Sequence, residues 1–248
     1  MTYGICALSL VPLRDAGQHS APLVSEVLYG EIFKILAPQK FWAKIRLQDN
    51  TEGWINNTQF QEISSADFKK LSDQIPKLAT DLFEFIYKDN QILFPIPVGS
   101  FVHRAAFLGH RFEGTTSVEK PQKENLRVMA FMFMNTPFCK GGKSPFGMDA
   151  DGFVQTVYAL CGISLPRTAT AQADKGHVLS FIEESEPGDL AFFDDNEGEI
   201  IHVGIILENN HIIHAHGHVR VDRLDQTGIF NPKLRKHTHK LRLIKSIA

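Results

Sequence analysis

The stretch GMDADGFVQTVYALCG, residues 147–162, predicts a helix with a defined start and end. Asp149 can cap the helix, because its carboxylate can accept a hydrogen bond from a first-turn N–H group. Gly162 stands where a left-handed residue commonly ends a helix. Ala150 is then the first helical residue, at the end where unpaired N–H groups make thiol nucleophiles reactive. The apolar face consists of Phe153, Val154, Val157, Tyr158, Leu160 and Cys161.

The composition is typical of a folded globular protein. Among 248 residues, 43% are hydrophobic and 22% are charged, and the formal net charge is −2. Such a charge creates no field that would attract nucleic acid or an anionic membrane surface. No apolar run is long enough to span a bilayer. We therefore expect neither nucleic acid nor a membrane span among the interactions of this chain, and the composition leaves the oligomeric state open.

Cysteine usage favours a reducing compartment. Cys6, Cys139 and Cys161 are scattered, so they form neither a disulfide framework nor a closely spaced metal pair. The N-terminal stretch MTYGICALSLVPLRD lacks the basic start and the cleavage region of a signal peptide. Both features predict a cytoplasmic location. A periplasmic location is the alternative if a leader has been removed.

Turn signals and changes of periodicity divide the chain into four parts. Residues 1–63 have the pattern of a small β-barrel of short strands, and residues 64–75 that of a short capped helix or linker. A second, diverged barrel is predicted over residues 76–118, where a polar segment with a glycine and a proline marks its end. Residues 119–248 combine helices with an antiparallel meander, so the predicted fold class is α+β.

Within the last part, the predicted elements besides the capped helix that starts at Ala150 are one buried helix and three strands. The helix covers residues 126–134, and the strands cover residues 189–193, 200–207 and 211–222.

Closely spaced histidines mark these strands. A two-residue turn at Asn209–Asn210 would place His202 and His214 on opposite faces of a hairpin, because a one-residue shift of register turns every side chain over. A mechanism that uses both histidines therefore requires an odd-length loop or a bulge, which we predict. His216 and His218 follow at two-residue spacing and share a face with His214 if the strand is regular. A polar rim on an exposed sheet face is the alternative interpretation.

Four motifs in order resemble the NlpC/P60 family of cell-wall cysteine peptidases: PFCKGGKSPFGMDADGFVQTVYALCGISLPR, EPGDLAFF, IIHVGII and IIHAHG. The resemblance covers most of residues 125–232. The two β-rich regions before it resemble the bacterial Src-homology-3-like barrels that often precede this domain. Together they are similar to the cytoplasmic γ-D-glutamyl-L-diamino acid endopeptidases, which cut peptides with a free N-terminal L-Ala during peptidoglycan recycling. The resemblance implies a papain-like α+β domain behind two small barrels.

The same resemblance assigns roles at the predicted site. Residues 149–153 are Asp-Ala-Asp-Gly-Phe, where the family has Asp-Cys-Ser-Gly-Phe. Ala150 therefore occupies the nucleophile position, His202 the position of the base, and His214 that of the third, orienting residue. A methyl group cannot attack a carbonyl, and loss of one member of a nucleophile–base unit removes most of the catalytic gain. We predict little or no thiol peptidase activity.

Other positions also depart from the family pattern, which favours a naturally degenerate enzyme over an engineered cysteine-to-alanine knockout. The knockout is the alternative explanation of Ala150. The departures are Phe138, Lys140, Asp151, Thr168, Ala169 and His216.

We expect a peptidoglycan-derived peptide or a related small peptide as the ligand, with no cofactor and no metal in this interpretation. The residues expected to meet the ligand are Asp149, Asp151, Phe138, Lys140, Arg167 and Thr168.

Two alternatives use other chemistry. Imidazole and carboxylate ligands could form a metal site, although the spacing matches no zinc signature. Its ligands would be His202, His214, His216, Asp149 and Asp151. Alternatively, a cleft on the first barrel could bind peptide through Trp42, Trp54 and Tyr29, unless these aromatic residues form the barrel core, which is their commoner fate.

Overall fold

The structure is a computed structural model that describes residues 2–117, 122–195 and 197–247. The chain divides into two compact units: unit 1 comprises residues 1–120 with 140–145, and unit 2 comprises residues 121–139 with 146–248. The predicted boundary between residues 118 and 119 lies outside the described residues. None of the described helices is long and apolar enough to cross a bilayer.

Unit 1 consists mainly of short strands. Its elements are β1 (Thr2–Ile5), β2 (Leu10–Arg14), β3 (Leu23–Leu28), β4 (Ile32–Pro38), β5 (Trp42–Leu47), β6 (Glu52–Asn56), β7 (Gln61–Ile63), α1 (Ser65–Ser72), β8 (Phe83–Lys88), β9 (Gln91–Pro97), β10 (Arg111–Phe112) and β11 (Lys143–Ser144).

The first strands form the predicted small β-domain. They build a seven-stranded sheet in the order β3-β2-β6-β5-β4-β1-β7. Alternate side chains point into a common apolar core, which is how short strands of a small barrel stabilise one another. Fully buried members of this core include Val11, Leu13, Phe33, Ile45 and Ile55. The predicted capped helix is α1, and the Ser64 side chain accepts a hydrogen bond from the Asp67 N–H group at its start.

The region predicted as a second barrel contains a three-stranded antiparallel sheet in the order β10-β8-β9. Isolated bridges, Leu78 with Phe101 and Ala79 with Thr116, extend its pairing. Pro95 and Pro97 lie in β9 and have no N–H group to donate, which limits the ladder along this strand. The division at residues 63, 75 and 118 stays a prediction.

Unit 2 combines short helices with one large antiparallel sheet. Its elements are α2 (Leu126–Phe131), β12 (Gly147–Met148), α3 (Ala150–Leu160), α4 (Ala169–Ala173), β13 (His177–Leu179), β14 (Leu190–Asp194), β15 (Ile200–Leu207), β16 (His211–His216), β17 (His218–Leu224), β18 (Gly228–Asn231) and β19 (Lys236–Ser246).

The large sheet of unit 2 carries the histidines. Its strand order is β13-β19-β14-β15-β16-β17-β18, and a further β18–β19 pairing closes β14 to β19 into a ring. Helix α3 packs against β15 and β16. Inside the sheet, Phe193, Ile206, Ile212 and Ile229 belong to one apolar cluster of buried residues. An α+β unit with a helix on an antiparallel sheet is the predicted fold class.

Two predicted elements differ in the structure. The predicted buried helix over residues 126–134 is confined to α2, and only part of it is buried, since Val128 is 61% exposed. The prediction of one strand over residues 211–222 is wrong, because β16 ends at His216 and β17 begins at His218. Gly217 adopts a left-handed φ of 72° between them. Glycine tolerates this conformation without steric cost, so it forms the turn.

Replacing Gly204 with alanine is predicted to destabilise unit 2. A Cβ atom there would lie 2.7 Å from Ile212 Cδ1 and 3.0 Å from His214 Cβ. Overpacking of this kind costs about 1–3 kcal/mol, and relief of the clash would displace His214. Urea unfolding of Gly204→Ala should show the loss, with Val178→Ala as control, since Val178 is 63% exposed in the same unit. A loss no greater than that of the control would contradict the packing.

Candidate active site

Helix α3 begins as the sequence predicts. Asp149 has an extended backbone, and the backbone N–H group of Gly152 donates a 2.7 Å hydrogen bond to its Oδ1 atom. Ala150 is the first helical residue and is buried. The helix ends before Gly162, which has a left-handed φ of 79°. The position at the helix start therefore lies in the helix field that can activate a nucleophile, but it carries a methyl group.

The two carboxylates at this helix start have partners inside unit 2. Arg167 is 5% exposed, and its Nη2 atom donates to Asp149 Oδ2 at 2.8 Å. The backbone N–H group of Ala169 donates to Asp151 Oδ2 at 2.9 Å. Thr168 caps α4, since its side chain accepts from the Ala171 N–H group. These contacts join the start of α3 to the start of α4, so residues predicted to bind a ligand also hold the fold together.

Burial changes the acidity of Asp151. Desolvation raises the pKa of this carboxyl group to about 6, and the hydrogen bond from Ala169 opposes part of the rise. The family has a neutral serine at this position, so Asp151 introduces a group whose charge changes in mildly acidic solution.

The β15–β16 hairpin confirms the predicted odd-length loop. Ile205 pairs with Ile213 and Leu207 with His211, which leaves residues 208–210 as the connection. Because paired residues share a face and alternate residues return to it, this register places His202 and His214 on one face.

A hydrogen-bonded chain runs through these side chains. His202 Nε2 lies 2.8 Å from His214 Nδ1, and His214 Nε2 lies 3.2 Å from Asp222 Oδ2. Arg220 Nη2 donates to Asp222 Oδ1 at 2.8 Å. His202, His214 and Asp222 are all buried. Fixed polar partners at these distances hold both imidazole rings in one orientation.

The environment keeps the two hydrogen-bonded histidines neutral and the Asp222 carboxylate charged. Burial lowers the pKa of His202 well below its ordinary value, and the neighbouring imidazoles lower it further. Burial also lowers the pKa of His214, against the opposing effect of Asp222. Desolvation disfavours the charge of Asp222, but hydrogen bonds from His214 and Arg220 outweigh it, and the pKa of Asp222 is lowered.

The chain of contacts assigns the ring protons. Ionised Asp222 can only accept, so His214 donates from Nε2 and its Nδ1 atom accepts. His202 then donates from Nε2, which leaves the lone pair on its Nδ1 atom. A histidine oriented in this way has the arrangement of a general base supported by a second residue.

Sequence reasoning missed three residues of this site. Asp222 and Arg220 were not predicted, because one continuous strand over residues 211–222 would not bring them back beside His214. A turn at Gly217 would have revealed that His214 pairs with Arg220. His239 lies on β19, and its ring stacks on that of His202 with 4.1 Å between centroids. The alternating stretch THKLRLIK, residues 238–245, was a strand signal that could have found it.

The remaining predicted residues are distributed over both units. Phe138 is 46% exposed in unit 2, and its N–H group donates to the carbonyl oxygen of Gly217 at 2.9 Å. Lys140 belongs to unit 1. Tyr29 and Trp42 are buried, which agrees with a role in the core of unit 1, whereas Trp54 is half-buried.

The predicted ligand set of the metal alternative is not the set that the structure brings together. Among the described residues, ring nitrogens of His202, His214 and His239 lie within 4.8 Å of one another. Asp149 and Asp151 are occupied by the contacts at the helix start instead.

Comparison with known families identifies two domains in the chain. The model of the NlpC/P60 family matches residues 135–239, and that of the bacterial dipeptidyl-peptidase SH3 domain matches residues 13–60. The chain therefore combines a papain-like NlpC/P60 domain of the α+β class with an N-terminal SH3-like β region, as its sequence predicts.

Individual relatives are similar over parts of different length. A γ-D-glutamyl-L-lysine dipeptidyl-peptidase of Bacillus subtilis (strain 168) is 24% identical over 217 residues, which cover 77% of this chain and 71% of that protein. A protein of the same name from Bacillus cereus (strain ATCC 10987 / NRS 248) is 30% identical over 109 residues, but these span only 32% of its length. The crystal structure of an NlpC/P60 family protein from Bacillus cereus ATCC 10987 has a TM-score of 0.76 at 16% identity and covers 98% of this chain and 99% of its own. At that identity the likeness concerns the fold alone.

Acid is predicted to destabilise unit 2 through its buried histidines. A histidine whose folded-state pKa lies below its unfolded value favours folding only while it is neutral, so stability falls as the pH drops below about 6.5. The free energy of unfolding then changes by about 1.4 kcal/mol per pH unit for each such group. His202→Gln should reduce the slope measured by urea unfolding between pH 5 and pH 6.5 in EDTA.

Asp151 acts in the opposite sense. Because its pKa is raised in the folded state, its contribution to the free energy of unfolding falls as the pH rises through about 6. Comparing variants at each pH removes this effect, because Asp151 is present in all of them. The surface variant His177→Gln is the control, and an unchanged slope in His202→Gln would refute the prediction.

Proposed function

We propose that this chain binds a cell-wall peptide of the γ-D-glutamyl-diamino acid type and does not cleave it by thiol chemistry. The observation that carries the proposal is Ala150 as the first residue of the capped helix α3. In the NlpC/P60 pattern that the chain resembles, this position holds the attacking cysteine. The relatives named as γ-D-glutamyl-L-lysine dipeptidyl-peptidases supply the class of peptide.

The other cysteines are poor substitutes for the nucleophile. Cys6 and Cys161 are buried, and desolvation raises the pKa of Cys6 to about 12 and that of Cys161 to about 11. A protonated thiol is neither a nucleophile nor a metal ligand at neutral pH. Cys139 is exposed, but it lies outside any helix and so lacks the field of a helix start.

The proposed peptide surface is the exposed rim near Gly217. Phe138 is 46% exposed, and His216 is exposed at the end of β16. Aromatic side chains give large contact areas to peptide ligands. Asp149, Asp151, Arg167 and Thr168 would act mainly by holding this part of unit 2 in shape, because their polar groups have internal partners.

We also propose that the protein acts in the cytoplasm. None of its three cysteines, all within the described part of the chain, forms a disulfide. Unbridged cysteines suit a reducing compartment.

Calorimetry with L-Ala-γ-D-Glu-L-Lys and its diaminopimelate counterpart tests the binding. We expect heat of binding at millimolar ligand, and a Kd about tenfold weaker in Phe138→Ala, a loss of about 1.4 kcal/mol. Phe181→Ala is the matched control, because Phe181 is 65% exposed in a different segment of unit 2. No heat with either peptide would refute the proposal.

The variant Ala150→Cys tests the chemistry at the helix start. If the helix field and His202 lower the pKa of the introduced thiol, iodoacetamide should modify it at pH 7 about tenfold faster than Cys139. The double variant Ala150→Cys/His202→Gln should lose part of this advantage. Peptide mapping by mass spectrometry measures both rates.

Cleavage by the same variant separates the two explanations of Ala150. We expect little recovery of muropeptide hydrolysis, because Asp151 and other positions also depart from the family pattern. Efficient cleavage by Ala150→Cys alone would contradict a degenerate site and favour a knockout.

A further inference from the structure

Imidazole rings converge beside the sheet of unit 2. Ring nitrogens of His202, His214 and His239 lie within 4.8 Å of one another. Ring centroids are 5.0 Å apart for His202 and His214, and 5.7 Å apart for His214 and His239. Within this group, His214 also contacts a carboxylate, that of Asp222. The general-base arrangement uses His202 and His214 but gives no role to His239.

The three rings stand on strands, which limits their movement. His202 is on β15, His214 on β16 and His239 on β19. A site built on strands holds its ligands more accurately than one built on loops. His202 and His214 are buried and His239 is half-buried, so an ion could reach the cluster from the side of His239.

The contact of His214 with Asp222 is the contact that metal-ligating histidines make. A ligating imidazole usually donates its other N–H group to a carboxylate, which fixes the tautomer and increases the basicity of the ligating nitrogen. Here His214 Nε2 lies 3.2 Å from Asp222 Oδ2, and the arrangement turns Nδ1 toward His202. Arg220 holds the carboxylate at 2.8 Å.

We propose that His202, His214 and His239 bind a divalent transition-metal ion, with Zn²⁺ as the expected ion. The site goes beyond the peptide binding proposed above and does not depend on it. Three neutral imidazoles are a ligand set that Zn²⁺ accepts, and they leave a fourth position for water. His216 lies next to His239, with 4.8 Å between ring centroids, at the exposed side of the cluster.

Small side-chain movements complete the geometry. Zn–N distances of about 2.0–2.1 Å place the nitrogens of a tetrahedral site roughly 3.4 Å apart. The 2.8 Å gap between His202 Nε2 and His214 Nδ1 must therefore open. The ion takes the place of the proton between these two atoms, and His202 changes to its Nδ1–H tautomer. His239 must also adjust, since the three nitrogens, which lie within 4.8 Å of one another, have to reach this common spacing.

Cobalt titration tests the site. Tag-free protein is stripped with EDTA, exchanged into chelator-free buffer and titrated with Co²⁺, whose tetrahedral complexes absorb strongly in the visible range. We expect a single equivalent to bind with these bands, and Zn²⁺ to displace it. Elemental analysis of protein refilled with Zn²⁺ should give the same stoichiometry.

The variants locate the ion. His239→Gln and His239→Phe should abolish the tetrahedral spectrum, and the phenylalanine variant keeps a ring against His202. Asp222→Asn should weaken binding roughly 10–100-fold. His237→Gln, on the same strand but paired with Asp225, should leave binding unchanged. Circular dichroism establishes that each variant is folded.

The proposal is overturned if folded wild-type protein binds no Co²⁺, or if binding survives in both His239 variants. Peptide calorimetry in EDTA reports on the proposed function separately, because it requires no metal. Loss of one signal with retention of the other would therefore distinguish the two proposals.

Discussion

The register of the β15–β16 hairpin is the constraint on which the site depends. Pairing of Ile205 with Ile213 leaves a three-residue connection, residues 208–210, so His202 and His214 emerge on the same face. A connection shorter by one residue would turn His214 to the other side of the strand. The 2.8 Å contact between the two imidazoles follows from that single choice of loop length, and the pairing of β16 with β17 adds the contact of His214 with Asp222.

Around this hairpin, unit 2 has the residues of a general base, His202 and His214, but no nucleophile at position 150. Buried His202 and His214 are neutral and oriented, and Asp222 is ionised and anchored by Arg220. The field at the helix start would lower the pKa of a thiol, but Ala150 has no ionisable group. Buried polar groups are costly unless they are fully partnered. Their retention fits a site that still serves binding, of a peptide or of an ion.

The sequence predicted the elements whose signals are local. The cap at Asp149, the helix stop at Gly162 and the strand over residues 200–207 need only neighbours along the chain, and all three are present. The odd-length loop was predictable because chemistry requires both histidines on one face. Asp222 and His239 were not predicted, because their contacts join β16 to β17 and β15 to β19. Local patterns at Gly217 and over residues 238–245 indicate the turn and the strand but not these contacts. The helix over residues 126–134 was overpredicted, since apolar composition does not distinguish burial from exposure in a short segment.

The most direct test is the turnover of the purified wild-type chain on L-Ala-γ-D-Glu-L-Lys in EDTA, with release of the dipeptide followed by mass spectrometry. Because position 150 holds no thiol, hydrolysis should not exceed that of a sample without protein. Turnover in the usual enzyme range of about 1–10³ s⁻¹, abolished by iodoacetamide, would contradict the account. It would show that another cysteine performs the attack.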